Sequence, residues 1–173
     1  MEKIFYTTRT AYSDTNKAIK ALLAREFGVE NAHIVRSETG KPYLAELEQR
    51  LFFSVSHTNE RLFIAFSDEN VGLDAEYAER SVAYQAIVKK FPVDERKEIL
   101  SSSDFLRHWT VKEAAIKWLG GSLAHDLYKL SYTNDNLLYG EVALPRVYIR
   151  TFEKYILALC GERDFSQTEI LPF

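Results

Sequence analysis

A single cysteine stands in 173 residues. Cys160 has no internal disulfide partner, and thiolate zinc sites, which need several cysteines, are excluded. Its place in the apolar run 156–160 marks it as a small core residue. Charge of one sign is also missing: 22 Lys and Arg against 25 Asp and Glu give a net charge of −3. The global basic signature of a nucleic-acid or membrane-surface binder is absent, so any anion site must be a local cluster. No apolar run approaches the ~18 residues of a membrane span. No signal-peptide pattern opens the chain, because Met1-Glu2-Lys3 leads directly into Ile4-Phe5-Tyr6, and a cytoplasmic protein is expected. Neither Gly-x-Gly-x-x-Gly nor a Walker loop occurs. No Ser-His-Asp or Cys-His set suggests itself.

What is present suits one globular domain with a sizeable core. Lys3 to Thr8 reads as a strand. Ser13 or Asp14 can cap a helix running to about Phe27, with Ile19, Leu22, Leu23 and Phe27 as its buried stripe and Gly28 as its stop. His33 to Ser37 is a further strand candidate, and Thr39-Gly40-Lys41-Pro42 is a turn. Strands are expected at 51–56 and 61–67, joined by a loop at His57-Thr58-Asn59-Glu60. In Val71 to Glu76, alternation puts Asp74 and Glu76 on one face, about 7 Å apart along the strand. Helices follow at about 81–90 and from Pro92 to about 100. Further strands are expected at 127–133, 137–143, 146–152 and 155–160, with a tail that wraps an edge or frays.

A long helix followed by a meander of strands thus occurs twice. The fold class is α+β: two similar lobes, about 1–80 and 81–173, in one domain, each a long helix on a small antiparallel sheet. No Pro/Gly-rich linker separates them at 77–90, so the lobes should be fixed to each other.

The second long helix carries Trp109-Thr110-Val111-Lys112-Glu113-Ala114-Ala115-Ile116-Lys117. Val111, Ala114, Ala115 and Trp118 make one apolar face. Glu113 and Lys117 lie four apart on the remaining face, about 6 Å along the axis. Alone they read as a common helix-stabilising pair. Asp74 and Glu76 alone read as the wet face of an edge strand. Two carboxylates on one strand face repel, however, and are more comfortable around a cation. With Glu113 they make three oxygen ligands, which suits Mg²⁺. His57 reads as structural, or, beside Ser56 and Thr58 at a loop mouth, as a donor to phosphate. Lys17, Lys20, Arg36 and Lys41 form a candidate basic cluster in the first lobe.

Four segments occur in one order: Gly40-Lys41-Pro42, Phe53-Ser54-Val55-Ser56-His57-Thr58, Val71-Gly72-Leu73-Asp74-Ala75-Glu76 and Trp109 to Lys117. The pattern resembles the 4′-phosphopantetheinyl transferase superfamily in its longer, surfactin-synthetase-activating type, over most of the chain from the first helix to about residue 130. The resemblance implies Mg²⁺-dependent transfer of the phosphopantetheine arm of coenzyme A to a serine of an apo acyl or peptidyl carrier protein, releasing adenosine 3′,5′-bisphosphate. It implies two lobes related by a pseudo-two-fold axis, a monomeric pseudo-dimer, with the site between them. Carried over residue by residue, Asp74, Glu76 and Glu113 match the metal-binding acids. Glu113 also matches the proposed base, and Lys117 the phosphate-contacting lysine. Ser56 and His57 match the phosphate-contacting pair. Lys41 and Pro42 match the adenosine and 3′-phosphate end, which Lys20 joins by position. Trp109 and Lys112 match the motif itself. Catalysis is expected from Glu113, Lys117 and His57. The sequence departs at Gly120-Gly121-Ser122-Leu123, where members often carry a second glycine in place of Ser122, and the chain is shorter than typical members. Two alternatives stand beside this reading: another Mg²⁺-dependent phosphate-ester hydrolase, and a non-catalytic binder of coenzyme A or a carrier.

Overall fold

A computed structural model describes residues 2–12, 14–47 and 50–173. Ser13, one of the two expected cap residues, lies outside the described residues. In chain order the elements are β1 Lys3–Thr8, α1 Thr15–Phe27, β2 Ile34–Arg36, β3 Pro42–Leu44, β4 Phe52–Thr58, β5 Arg61–Ser67 and β6 Val71–Tyr77. Then come α2 Gln85–Val88, α3 Val93–Glu98, α4 Ser102–Leu119, α5 Leu123–Asp126, a 3₁₀ turn Leu127–Lys129, β7 Leu130–Thr133, β8 Asn136–Tyr139 and β9 Val142–Ala143. The chain continues through β10 Val147–Phe152, β11 Tyr155–Gly161 and β12 Glu169–Pro172. The fold is mixed α and β, as the sequence implied.

Two helices are well punctuated. The Asp14 side chain accepts the Asn16 N–H at 2.8 Å, and Gly28, at φ 64, closes α1. The Ser101 hydroxyl accepts the Asp104 N–H at 3.1 Å, and Gly120, at φ 67, closes α4. Each cap satisfies backbone groups that a helix end otherwise leaves unpaired.

Sheet order is β12-β1-β5-β4 in one large sheet and β10-β11-β6 in the other, with β2-β3 and β7-β8-β9 as two smaller sheets. The first sheet, expected to be antiparallel, is mixed, because β12 joins β1 in parallel. α1 lies on the outer face of the first sheet, where Ala18, Ile19, Leu22 and Leu23 meet Phe5, Phe53, Ile64 and Phe66. α4 lies on the outer face of the second, where Val111, Ala114 and Ala115 meet Ala158 and Cys160. Between the sheets, Ile4, Phe63 and Ala65 pack against Leu73, Leu157 and Leu159. The layers therefore run helix, sheet, sheet, helix. Strand pairing crosses the division near residue 80: β6 pairs with β11, and β12 pairs in parallel with β1. The tail thus wraps an edge.

The sequence expectations differ from the structure at several places. The strand expected at 127–133 begins only at Leu130, because Leu127–Lys129 form a 3₁₀ turn. His57 and Thr58 belong to β4, paired with Leu62 and Arg61, so the hairpin loop shrinks to Asn59-Glu60. The helix expected at 81–90 is one turn, Gln85–Val88. Tyr84 stacks on Phe105 at 5.3 Å, a tertiary contact that outweighs local helix preference. The single strand expected at 137–143 is broken by Gly140, at φ 60, into β8 and β9, which pair with each other.

At Gly72, α4 meets β6 with no room to spare. A Cβ there would lie 2.0 Å from Ala114 O and 2.5 Å from Trp118 N, both backbone atoms. The glycine is needed for space, and it sets how near α4 can bring Glu113 and Lys117 to Asp74 and Glu76.

Candidate active site

The seam between the sheets is built from hydroxyls. β4 and β6 run side by side without a backbone ladder. Instead Ser54 Oγ accepts the Leu73 N–H at 2.8 Å, Ser56 Oγ that of Ala75 at 3.0 Å, and Thr58 Oγ1 that of Tyr77 at 3.0 Å. The period of two along β4 matches the period of two along β6, so three side chains do the work of backbone carbonyls. Two of the three hydroxyls also donate to acids: Ser56 to Asp74 Oδ1 at 2.8 Å and Thr58 to Glu76 Oε2 at 3.4 Å.

Asp74 and Glu76 point from β6 toward α4. Both are buried. The Lys117 ammonium reaches across to Asp74 Oδ1 at 2.7 Å. Its ion pair is therefore with the facing strand, not with Glu113 one turn back on its own helix. Glu76 is held at both oxygens by Arg80, at 3.0 and 2.9 Å. Burial raises the Asp74 carboxyl above the usual range, against the pull of Lys117 and Ser56. Burial and the Asp74 charge raise Glu76, opposed by Arg80. Glu113 is pushed up to about 7 by burial and by the negative charge of Asp74, with Glu76 adding to it. The three acids thus share one low-dielectric neighbourhood and repel one another. The Trp109 side chain, one turn before Glu113, opposes that rise.

Among the described residues no three acidic, histidine or cysteine side chains are gathered into a ready metal cage. The donor chemistry nonetheless fits a hard divalent cation. Asp74 Oδ2 is buried and takes no hydrogen bond, while Oδ1 takes two. A buried carboxylate oxygen without a donor is costly, and a cation would satisfy it. The same cation would relieve the repulsion that raises Glu113.

Beside the acids lies a cleft of about 370 Å³. Thr15 and Asn16 bring to it the first turn of α1, the positive end of the helix dipole, with the Asn16 N–H already taken by Asp14. His57, Lys117, Arg36 and Lys41 supply cationic or donor groups, and Gly120-Gly121 forms a wall of bare backbone. His57 Nε2 shares a hydrogen bond with Thr15 Oγ1 at 2.8 Å. Burial lowers the imidazole's pKa, and Arg9 and Lys117 lower it further, so it is neutral near pH 7. Lys41 is turned inward: its ammonium donates to Asn70 Oδ1 at 2.5 Å and to Trp118 O at 3.1 Å, near the carbonyl end of α4. Burial brings it down to about 8. Pro42 lines the same wall.

Three of the residues singled out from sequence stand elsewhere. Lys112 is fully buried on another face of α4. It pairs with Glu95 Oε2 at 2.8 Å, donates to Leu130 O at 2.8 Å, and sits 3.6 Å from the centroid of the Phe91 ring. Its neighbour in sequence, Glu113, points the other way because successive helical residues are ~100° apart. Its expected place against coenzyme A is corrected to one inside the core. Ser56 faces β6 rather than the cleft, and its hydroxyl is taken by Ala75 and Asp74. Lys20 is exposed on α1, one turn beyond Asn16 and outside the cleft lining. Residues that sequence reasoning passed over include Thr15, Asn16, Asn70 and Arg80. For Arg80 a signal existed, since it follows Glu76 by four. For Asn70 there was none, because its role rests on meeting Trp118 O at 2.8 Å across the fold. Ser122, the departure from the family turn, has φ −135 and ψ 146, open to any residue. Its N–H is held by Asp126 Oδ2 at 2.8 Å.

Residues 70–160 match the family described as the 4′-phosphopantetheinyl transferase superfamily. The chain is 25% identical over 165 residues to 4′-phosphopantetheinyl transferase Sfp of Bacillus subtilis (strain 168), an alignment spanning 86% of this chain and 73% of that protein. It is 26% identical over 167 residues to 4′-phosphopantetheinyl transferase ffp of Bacillus subtilis, with the same coverage. With 4′-phosphopantetheinyl transferase HetI of Nostoc sp. it shares 28% over 118 residues, 61% of this chain and 50% of that one. The matched span holds β6, α4 and every acid of the site, and the chain belongs to the 4′-phosphopantetheinyl transferase superfamily.

Proposed function

We propose that this protein transfers the 4′-phosphopantetheine arm of coenzyme A to a serine of an apo acyl or peptidyl carrier protein, with Mg²⁺, releasing adenosine 3′,5′-bisphosphate. One observation carries the reading beyond family membership. The acids of β6 and the Glu113–Lys117 face of α4 converge beside a cleft lined with cationic and hydrogen-bond-donating groups. We read residues 1–173 as one transferase domain, a cytoplasmic monomer whose halves, about 1–80 and 81–173, are related by a pseudo-two-fold axis. The matching placement of α1 and α4 on their sheets supports this.

The diphosphate of coenzyme A is the anion the cleft suits. The first turn of α1, neutral His57 as an N–H donor, and Lys117 would hold its oxygens. Arg36 and Lys41 stand near the segment expected to take the adenosine and 3′-phosphate, with Pro42 shaping that wall. Lys20 would add to this end from the exposed rim. Asp74, Glu76 and Glu113 would hold Mg²⁺, which supplies charge stabilisation to the phosphoryl oxygens when bound. Lys117, released from Asp74 Oδ1 or shared with it, stabilises charge on the leaving phosphate. Glu113, one of the acids that would hold the metal, would also accept the proton of the carrier serine, directly or through water.

The test is incubation of the protein with coenzyme A, Mg²⁺ and a panel of apo carriers, read by mass spectrometry. A carrier gaining one phosphopantetheine supports the reading. No gain on any carrier, with the protein folded, overturns it. Glu113→Gln should abolish transfer while leaving the far-ultraviolet circular dichroism unchanged. Full activity in that variant removes Glu113 from its role.

A further inference from the structure

Ser56 was expected to touch phosphate. The structure turns its hydroxyl the other way. Its oxygen accepts the Ala75 N–H at 3.0 Å, so its single proton is free to go to an acceptor. Asp74 Oδ1 lies 2.8 Å away, whereas the alternative, Ala75 O, is at 3.4 Å. Distance decides for the carboxylate. The same Oδ1 takes the Lys117 ammonium at 2.7 Å. Two donors from opposite lobes therefore converge on one oxygen of Asp74, and the other, Oδ2, is buried with none.

We propose that Ser56 is a positioning residue for Asp74. It pins Oδ1, stops the carboxylate from rotating, and leaves Oδ2 as the oxygen presented to a divalent cation. The backbone bond from Ala75 fixes Ser56 in turn, so the orientation of the acid is referred to β4 across the sheet seam. Without Ser56, Oδ1 keeps only Lys117, a long flexible side chain that must also serve phosphate. Carboxylates that bind metal are oriented by hydrogen bonds of this kind, and removing such a partner typically weakens metal affinity roughly 10–100-fold.

The neighbouring seam residue supplies the control. Ser54 makes the same kind of backbone bond, to the Leu73 N–H, and Leu73 carries no carboxylate. Ser54→Ala therefore opens one rung of the seam without releasing an acid. The proposal rests on the metal reading of Asp74, Glu76 and Glu113, and the experiment separates the two. Mn²⁺ binding to the full-length protein, free of coenzyme A and carrier, is measured by the loss of the free-ion electron paramagnetic resonance signal. Wild type, Ser56→Ala, Ser56→Thr and Ser54→Ala are compared, with urea denaturation alongside. The expected result is Mn²⁺ affinity at least tenfold weaker in Ser56→Ala, restored in Ser56→Thr, and close to wild type in Ser54→Ala. Equal Mn²⁺ affinity in wild type and Ser56→Ala overturns the positioning role and leaves the metal site standing. Equal weakening in Ser54→Ala and Ser56→Ala also overturns it, because seam stability alone would then explain the loss. If wild type binds no Mn²⁺ at millimolar concentration, the metal reading fails and the proposal fails with it. If Ser56→Ala does not fold, Ser56→Thr against Ser56→Cys gives the same contrast, since a thiol is the weaker donor. Equal affinity in that pair refutes the role.

Discussion

Gly72→Ala puts the geometry of the site under direct load. The new Cβ would stand 2.0 Å from Ala114 O, where ordinary contact begins near 3.4 Å, leaving it about 1.4 Å short. The second obstacle, Trp118 N at 2.5 Å, is backbone as well, so no rotamer change relieves the clash. Either α4 lifts from β6 or β6 bends away. Overpacking of this kind destabilises by about 1–3 kcal/mol. For a chain of this length that lowers Tm by about 2–12 °C. The larger effect should fall on catalysis. Lifting α4 carries Glu113 and Lys117 away from Asp74 and Glu76 by roughly 1 Å, and a misplacement of that size can reduce the rate ~100-fold. The assay is carrier modification at saturating coenzyme A, run at a temperature where the variant is folded by circular dichroism. A variant with wild-type Tm and wild-type rate would refute the claim that Gly72 sets the distance between helix and strand.

Three further outcomes are expected. Glu113 titrates near 7 in the folded chain and at 4.5 when unfolded, so the folded chain binds more protons between these values and its stability falls as pH rises through them. In EDTA, Glu113→Gln should therefore gain stability relative to wild type from pH 5 to pH 8. Urea midpoints independent of pH in both proteins would contradict the raised pKa. Lys112→Met leaves Glu95 buried beside His108 without its lysine. It should lose about 3–5 kcal/mol in urea denaturation, while coenzyme A affinity per folded molecule is unchanged by calorimetry. A selective loss of affinity would return Lys112 to the cleft. At Gly121 an added Cβ would lie 2.3 Å from Asp126 Oδ2, a side-chain carboxylate that can swing aside. Gly121→Ala should thus lower Tm less than Gly72→Ala, and the reverse order would contradict the distinction between side-chain and backbone obstacles.

What could be read from the sequence was what is local. The period of two in Val71 to Glu76 put both acids on one face, and Asp14, one of two cap candidates, with Gly28 bounded the first long helix. The fourfold spacing put Glu113 and Lys117 on one face of α4, but as an isolated pair they suggested each other, whereas Lys117 pairs with Asp74. What could not be read depends on which surfaces meet. Lys112 and Glu113 are adjacent and both ionisable, and only packing against Phe91, Glu95 and Leu130 places Lys112 in the core. The resemblance put Ser56 with His57 at phosphate, yet in a strand the faces alternate. The β4–β6 seam has no pairing signal, since hydroxyls replace the backbone ladder. The expected helix at 81–90 shrank because Tyr84 found Phe105, a contact no local propensity encodes.

The exchange of strands between halves bears on how the chain acquires its structure. β1 takes its parallel neighbour β12 from the far end of the sequence, with Lys3 opposite Glu169. β6, made early in the chain, waits for β11 to complete its ladder. During synthesis β1 and β6 therefore emerge with open edges, which cannot close until β11 and β12 have left the ribosome. Such long-range closures slow folding, and open edges invite association with other chains in the interval. A ribosome-bound nascent chain would likewise carry Asp74 and Glu76 before the α4 residues that face them.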